Sequence, residues 1–149
     1  MLPEIAPQFD YEPIATVYLQ FAAKTALPFP LLHLGGATGA WAIDRGDGLF
    51  GCAISGHGDW EALSDEALAG EIETALGLGP ADWRRVIREK RATFASRPQQ
   101  ARPSHITTDP RLILAGDYTW GDYPATLEGA VRSGRRAASE VLARASTIG

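Results

Sequence analysis

The sequence has a single cysteine, Cys52, among 149 residues, which excludes an internal disulfide framework and any zinc site built from several cysteines. No apolar run approaches the roughly 18 residues that a transmembrane helix needs, and residues 1–13 have neither the basic nor the apolar stretch of a secretory signal. Positive charge is not in excess, since 14 Lys and Arg stand against 18 Asp and Glu, for a net charge of −4. We therefore expect a cytoplasmic protein that does not bind nucleic acid.

The composition is that of a globular domain, with 45% hydrophobic and 21% charged residues. A chain of this length can bury about two-thirds of its unfolded surface, which is enough for a true core. The 16 glycines and 10 prolines predict many turns and short elements.

The first half of the sequence predicts a small sheet. Residues 14–22 alternate apolar and polar side chains, as a half-buried strand does. The inner face of this strand would carry Ala15, Val17, Leu19 and Phe21. Tight turns separate three further predicted strands, over residues 31–34, 40–43 and 49–55. Together the four strands suggest an antiparallel meander.

A helix is predicted over residues 64–76. Ser64 suits the N-cap, the acidic pair that follows it favours the positive end of the helix dipole, and Gly77 suits the C′ position. The apolar face of this helix would carry Leu68, Ile72, Ala75 and Leu76. Residues 83–95 contain no Gly or Pro and predict another strand, whereas residues 97–111 contain three prolines and predict a segment that crosses between two structural units.

Three patterns that could indicate other functions have simpler explanations. Residues 46–51 match G-x-G-x-x-G, but no helix follows, so Asp47 and Gly48 are interpreted as a hairpin turn. Cys52 and His57 lie in a strand and the turn after it, and no histidine has the i,i+4 partner of a metal motif, so neither nucleophilic catalysis nor a metal site is predicted. The basic cluster within residues 84–91 is interpreted as a solvated strand face, because the whole chain is acidic.

The strongest candidate site is near the C-terminus. Residues 112–115 predict a buried strand that ends at Gly116 and places the Asp117 carboxylate at its C-terminal edge, where open α/β sheets bind ligands. A helix predicted from Thr126 to about Arg144 has free N–H groups and a positive dipole end in its first turn, which can hold the electron-rich edge of a cofactor. A plain strand–loop–helix capped by Thr126 is the alternative. The apolar stripe of the helix consists of Leu127, Ala130, Val131, Gly134, Ala138, Val141 and Leu142.

The segment from residue 112 to residue 138 resembles the C-terminal flavin-binding signature of the FAD-dependent amine oxidase and carotenoid/squalene desaturase superfamily. More narrowly, YEPI at 11–14, WAIDRG at 41–46 and EKRATF at 89–94 resemble, in the same order, the bacterial hydroxysqualene dehydroxylases. The chain departs from that branch at Asp122 and Tyr123, where a glycine and a small apolar residue are common. It also lacks an N-terminal βαβ unit, so it resembles roughly the last third of such an enzyme.

The resemblance implies roles for particular residues. Asp117 matches the acidic residue near the FAD ribityl and pyrophosphate groups, and Gly116 matches the residue that lets the backbone approach the cofactor. The helix start beside the pyrimidine edge of the flavin, where a positive helix end would stabilise reduced flavin, corresponds to Thr126, Leu127, Glu128, Gly129 and Ala130. Substrate contact is expected of Trp120 and Tyr123. No residue is an evident proton donor, so the catalytic acid or base stays unassigned.

We therefore expect an α+β fold, with a mostly antiparallel or mixed sheet of short strands, a packed helix, and a strand–loop–helix remnant of an FAD-binding domain. Residues 11–96 would form part of a substrate-type domain, and residues 97–111 a crossing linker. Residues 112–144 would be the C-terminal strand and helix of an FAD-binding domain whose N-terminal Rossmann part is absent.

The resemblance also implies a function for the whole enzyme, which is FAD-dependent redox chemistry on a long isoprenoid. The reaction that it favours is the conversion of hydroxysqualene to squalene. Amine oxidation or carotenoid desaturation on the same scaffold, and a non-enzymatic stand-alone binding domain, are the alternatives. The implied partners are an apolar isoprenoid and the missing N-terminal FAD-binding portion, and the whole enzyme could contact a membrane peripherally. The isolated chain is expected to be inactive, to bind no FAD, and to self-associate through bare apolar surface, notably along Leu127, Val131 and Val141.

Overall fold

The computed structural model describes residues 8–119 and 121–148. The chain divides into two compact units, one of Glu12–Ala92 and the other of the residues up to Tyr11 together with those from Thr93 onward. The strands are β1 (Tyr11–Gln20), β2 (Leu31–His33), β3 (Trp41–Asp44), β4 (Leu49–Ser55) and β5 (Trp83–Phe94). The helices are α1 (Asp65–Leu76) and α2 (Leu127–Ile148), with a short 3-10 turn at Asp59–Ala62. The predicted α+β class is confirmed.

The five strands form one sheet in the order β2-β3-β4-β1-β5. Strands β2, β3 and β4 form the antiparallel meander that the turns predicted, and β1 pairs antiparallel with β4. The expected four-strand order was therefore wrong in one respect, because β1 lies beside β4 rather than beside β2. The inner face of β1 is fully buried, and a central place between two strands satisfies both of its backbone edges.

The core of the Glu12–Ala92 unit lies between one face of this sheet and α1. The alternation predicted for β1 is confirmed, since Ala15, Val17 and Leu19 are all 0% exposed. Across the ladder, Val17 is opposite Cys52 and Leu19 is opposite Phe50, so the inward side chains of two adjacent strands meet. Leu68, Ala69 and Ile72 cover them from α1.

The ends of α1 are those that the sequence predicts. The Ser64 hydroxyl accepts a hydrogen bond from the Ala67 N–H at 3.2 Å, and Gly77 adopts the left-handed conformation (φ 68°) that ends many helices. One detail of the predicted apolar face is wrong, because Ala75 is exposed and Ala69 is buried instead. Alanine fits either side of a helix, so its burial depends on the helix rotation rather than on its own hydrophobicity.

The G-x-G-x-x-G match lies where the hairpin interpretation put it. Asp47 and Gly48 both have positive φ, at 52° and 75°, in the turn that joins β3 to β4. Gly48 has no room for a side chain, because a Cβ there would collide with the backbone of Phe21 and Ala22. The match has no phosphate-binding geometry, since Gly51 lies within β4.

The predicted buried strand over residues 112–115 is wrong. Only Ile113 forms a bridge, with Ile106, and the Leu114 N–H donates to the His105 carbonyl at 2.8 Å. Residues 112–114 are half-buried and Ala115 is exposed. A strand buried on both faces needs neighbouring strands, and in the described part of the chain only this short partner lies beside the run.

Helix α2 extends four residues beyond the predicted end, to Ile148. It packs through small and polar residues, with Gly129 and Ser133 buried, while its apolar stripe faces solvent. Exposure reaches 88% at Leu127, 59% at Val131 and 68% at Leu142. Across the residues that the structure describes, neither helix is long and apolar enough to cross a membrane.

Candidate functional site

The candidate site is organised around a turn at residues 116–119, within the unit that contains α2. The Thr119 N–H donates to the Gly116 carbonyl at 3.2 Å, which closes the turn and places Asp117 and Tyr118 at its centre. A Cβ at position 116 would collide with the Tyr118 ring, so a larger residue there would force that ring to move. Asp117 is thus held by a turn and not, as predicted, by the end of a strand.

The loop after this turn returns to the start of α2. The Thr126 hydroxyl accepts from the Gly129 N–H at 3.0 Å and donates to the Tyr123 carbonyl at 2.6 Å, so Thr126 is the predicted N-cap. A Cβ on Gly129 would collide with that same carbonyl, because the backbone of Tyr123 crosses the first turn of the helix. The Ala125 N–H donates to the Asp117 carbonyl at 3.3 Å and ties the loop to the turn.

The loop between the turn and α2 is conformationally strained. Tyr123 and Ala125 both adopt positive φ, at 57° and 58°, although neither is glycine. Such residues cost of the order of 1–3 kcal/mol each and persist where the surroundings fix them, commonly at ligand sites. Tyr123 is also one of the two positions at which the sequence departs from the branch that it resembles.

A small polar cavity of about 40 Å³ opens between the turn and α2. It is lined by Asp117, Thr119, Gly121, Asp122, Gly129, Arg132, Ser133 and Arg136. This volume holds about one water molecule and cannot enclose a flavin ring. A cofactor could therefore meet these residues only along the rim of the cavity.

The structure brings together some of the predicted site residues and not others. Asp117 and Gly129 line the same cavity, with Gly116 in the adjoining turn and Ala130 half-buried beside Gly129. Leu127 and Glu128 do not line it. Leu127 faces solvent, and the Glu128 carboxylate binds Arg132 at 2.6 Å, which raises the pKa of the Arg132 guanidinium.

The predicted substrate residues lie outside this cavity or outside the described chain. Tyr123 is 51% exposed, and its ring lies 4.7 Å from the Arg132 guanidinium carbon. This contact has the geometry of a cation–π pair. Trp120 lies outside the described residues. The structure therefore gives neither residue a demonstrated place beside a substrate.

Sequence reasoning missed three residues that hold the site together. Thr119 ends the turn and Ser133 of α2 packs against it, and both are buried. Arg102 reaches the same loop from the proline-containing segment. The sequence did contain an indication of Ser133. The small residues Gly129, Ser133 and Ala137 recur at four-residue spacing and therefore lie on one face of the helix, where another segment can pack closely. Arg102 had no such signal, since its partners lie 17 and 19 residues away.

The other chemically active side chains do not form a second site. Cys52 is fully buried, and this burial raises the pKa of its thiol to about 12, so it is not a nucleophile at neutral pH. His57 binds Glu61 at 2.9 Å on the surface. Among the residues that the structure describes, no three His, Cys, Asp or Glu side chains cluster closely enough to hold a metal ion.

Comparison with known proteins identifies the family. The family described as flavin containing amine oxidoreductase matches residues 4–142. The chain belongs to this family. It is 34% identical to the hydroxysqualene dehydroxylase of Rhodopseudomonas palustris, over 96% of the chain and 35% of that protein. It is 31% identical to the hydroxysqualene dehydroxylase of Zymomonas mobilis, over 95% of the chain and 36% of that protein.

A carotenoid enzyme is also similar to the chain. The 15-cis-phytoene desaturase of Synechococcus elongatus is 34% identical over 58% of the chain and 21% of that protein. The chain spans about a third of the length of the two hydroxysqualene dehydroxylases.

Proposed function

We propose that this chain forms the C-terminal third of an FAD-dependent oxidoreductase that acts on a long isoprenoid and converts hydroxysqualene to squalene. The observation that carries the proposal is the similarity to hydroxysqualene dehydroxylases over nearly the whole chain. The position of Asp117 beside the start of α2 agrees with it. In this proposal residues 11–96 belong to a substrate-type domain, and residues 112–144 complete an FAD-binding domain.

The residues at the rim of the cavity suit one part of FAD. The half-buried Asp117 carboxylate can accept hydrogen bonds from ribityl hydroxyls, and the first turn of α2 directs a positive dipole end toward the same cavity. Among the described residues no strand–glycine-rich turn–helix is present to hold the adenine and pyrophosphate half. FAD binding would therefore require the portion that the relatives have and this chain does not cover.

The sheet offers a surface suited to a hydrocarbon substrate. On the face opposite α1, Leu31, Ile43, Gly51 and Tyr18 form one row across four strands, and His33, Trp41, Ala53 and Thr16 form the next. These two rows hold no Asp, Glu, Lys or Arg. Leu31 is 52% and Trp41 48% exposed, so apolar surface is open to a ligand. Two uncharged rows of this kind suit the long isoprenoid chain of the proposed substrate.

The proposed reaction removes an oxygen atom. Replacing the hydroxyl of hydroxysqualene by hydrogen breaks one C–O bond, forms one C–H bond, consumes two electrons and two protons, and releases water. Reduced FAD supplies the hydride when it is bound. In the proposal this chain orients the cofactor through Asp117 and the start of α2, and the uncharged rows of the sheet contact the hydrocarbon.

The test uses a chimera in which this chain replaces the matching third of the Rhodopseudomonas palustris enzyme. Purified chimera, reduced by dithionite without oxygen, is given hydroxysqualene, and the products are analysed by gas chromatography and mass spectrometry. The proposal expects squalene. Phytoene and a primary amine are offered to the oxidised chimera in parallel. Conversion of either one, without squalene formation, would favour the desaturase or the amine oxidase alternative, and a folded chimera without FAD would favour a binding domain.

A further inference from the structure

Two buried hydroxyl groups connect the turn that contains Asp117 to helix α2. Thr119 and Ser133 are each 4% exposed, and their hydroxyl oxygens lie 2.7 Å apart. The Gly116 N–H donates to the Ser133 hydroxyl at 3.0 Å, and the Thr119 hydroxyl donates to the Gly116 carbonyl at 3.0 Å. The three residues therefore form a closed ring of hydrogen bonds.

The direction of each hydrogen bond in this ring is fixed. Because the Thr119 hydroxyl gives its hydrogen to the Gly116 carbonyl, it must accept from Ser133. Ser133 then donates to Thr119 and accepts from the Gly116 amide. Each donor in the ring has one acceptor, so removal of one hydroxyl would leave a buried polar group without its partner.

Arg102 holds the other side of the turn. Its guanidinium donates to the Thr119 carbonyl at 3.4 Å and to the Gly121 carbonyl at 3.0 Å. The backbone on the C-terminal side of Asp117 is thus fixed by Arg102, and the backbone on its N-terminal side is fixed by Ser133. Between these two anchors, Asp117 lines the polar cavity at the start of α2.

We infer that Ser133 and Thr119 are positioning residues that hold the Asp117 carboxylate toward the cofactor. This inference rests on the proposed function, because only a ligand at the cavity rim makes the direction of that carboxylate matter. Ser133 and Thr119 act through the backbone of the turn and do not themselves touch the ligand.

The first part of the test measures the ring in this chain. Hydrogen exchange followed by NMR reports the protection of the Gly116 amide. Ser133→Ala should accelerate its exchange at least about tenfold, because a buried donor loses its acceptor. Ser139→Ala is the matched control, since the Ser139 hydroxyl on the same helix donates to the Arg135 carbonyl, within its own helix, at 3.1 Å. Equal exchange rates in the two variants would overturn the inference.

The second part measures FAD affinity in the chimera with the Rhodopseudomonas palustris enzyme, by quenching of flavin fluorescence. Asp117→Asn and Ser133→Ala should each raise the Kd by about tenfold, and the double variant should be no weaker than Asp117→Asn alone. Thr119→Val should behave as Ser133→Ala does, whereas Thr119→Ser, which keeps the hydroxyl, should restore binding.

The outcomes separate the inference from the proposed function. If the increases in Kd caused by Asp117→Asn and by Ser133→Ala multiply in the double variant, Ser133 does not act through Asp117 and the inference is wrong. The inference is also wrong if the Ser133→Ala chimera binds FAD as tightly as the unsubstituted chimera does. If the unsubstituted chimera folds but binds no FAD, this result contradicts the proposed function and with it the inference.

Discussion

Arg88 and Asp65 join the edge strand β5 to the first turn of α1 through a hydrogen bond of 2.8 Å from Nε to Oδ1. The same guanidinium donates to the Leu63 carbonyl at 2.9 Å and to the Trp60 carbonyl at 3.3 Å. It also lies 5.7 Å from the centre of the Trp60 ring. One side chain thus holds the segment that connects β4 to α1, although the sequence suggested only a solvated basic face.

Replacing Arg88 by methionine should therefore destabilise the Glu12–Ala92 unit. The variant keeps the apolar stem but loses three hydrogen bonds, two of which go to backbone carbonyls, and we expect a loss of about 1–3 kcal/mol. Urea unfolding measures the change. Arg85→Met is the control, because Arg85 belongs to the same basic cluster and is exposed. Equal stability of the two variants would show that Arg88 is only a surface charge.

Leu19→Asp should unfold the sheet. Leu19 is fully buried opposite Phe50, so the variant would place an unpaired carboxylate in the core, and we expect a cost above about 3 kcal/mol. Thr16→Asp introduces the same charge on the opposite face and should cost less. Circular dichroism during thermal unfolding compares the two variants, and an unchanged melting temperature in Leu19→Asp would contradict the position of the core.

Cys52 should report on the same core through its reactivity. Burial raises the pKa of the thiol to about 12, so iodoacetamide at pH 8 should label the folded chain at least about a hundredfold more slowly than the chain in urea. Because Cys52 is the only cysteine, mass spectrometry gives the labelled fraction directly. Rapid labelling of the folded chain would mean that β4 does not lie against β1 as described.

Asp44 should make stability depend on pH. Its carboxylate accepts hydrogen bonds from the Leu27 N–H at 3.0 Å and the Gly46 N–H at 2.8 Å, and these bonds lower its pKa below the ordinary value of 3.8. The stabilisation is therefore present above that value and is lost as the pH falls through the lowered pKa of the folded state. Wild type should exceed Asp44→Asn in stability at about pH 6, and the difference should shrink as the pH falls below 3.8 toward the lowered pKa of the folded state. A difference that is independent of pH would contradict these contacts.

Local signals in the sequence predicted the elements that depend on local interactions. Strand β1 follows from strict alternation, and α1 follows from Ser64 and Gly77 at its two ends, because each feature involves residues within a few positions of one another. Residues 112–115 were misassigned for the opposite reason. A short apolar run becomes a strand only if other strands lie beside it, and four residues do not show whether they do.

The candidate site, like the fold, was predictable from the sequence only in its local features. Asp117 and Gly129 could be found from the sequence, because a glycine–aspartate pair after an apolar run and a glycine in the first turn of a helix are recognisable patterns. The hydrogen bonds of Ser133 and Arg102 to the turn could not, because they join residues 14 to 19 positions apart. The exposure of the α2 stripe, in contrast, was expected from the resemblance at Leu127, Val131 and Val141, and the structure confirms it.

The isolated chain should self-associate and should not bind FAD. Helix α2 exposes Leu127, Val131, Val141 and Leu142 on one side, each at least 55% exposed, and an apolar stripe of this kind favours association. Only the ribityl and flavin edge of FAD would find partners, at Asp117 and the start of α2. Those contacts are too few to offset an association cost of the order of 4–15 kcal/mol. Sizing with light scattering should show oligomers that Val131→Glu together with Leu142→Glu converts to monomers. Ser139→Glu together with Ala143→Glu, at exposed positions outside the stripe, should not have this effect. Calorimetric titration should show no FAD binding by the unsubstituted chain or by either variant. Micromolar FAD binding, or a monomeric unsubstituted chain, would contradict this prediction.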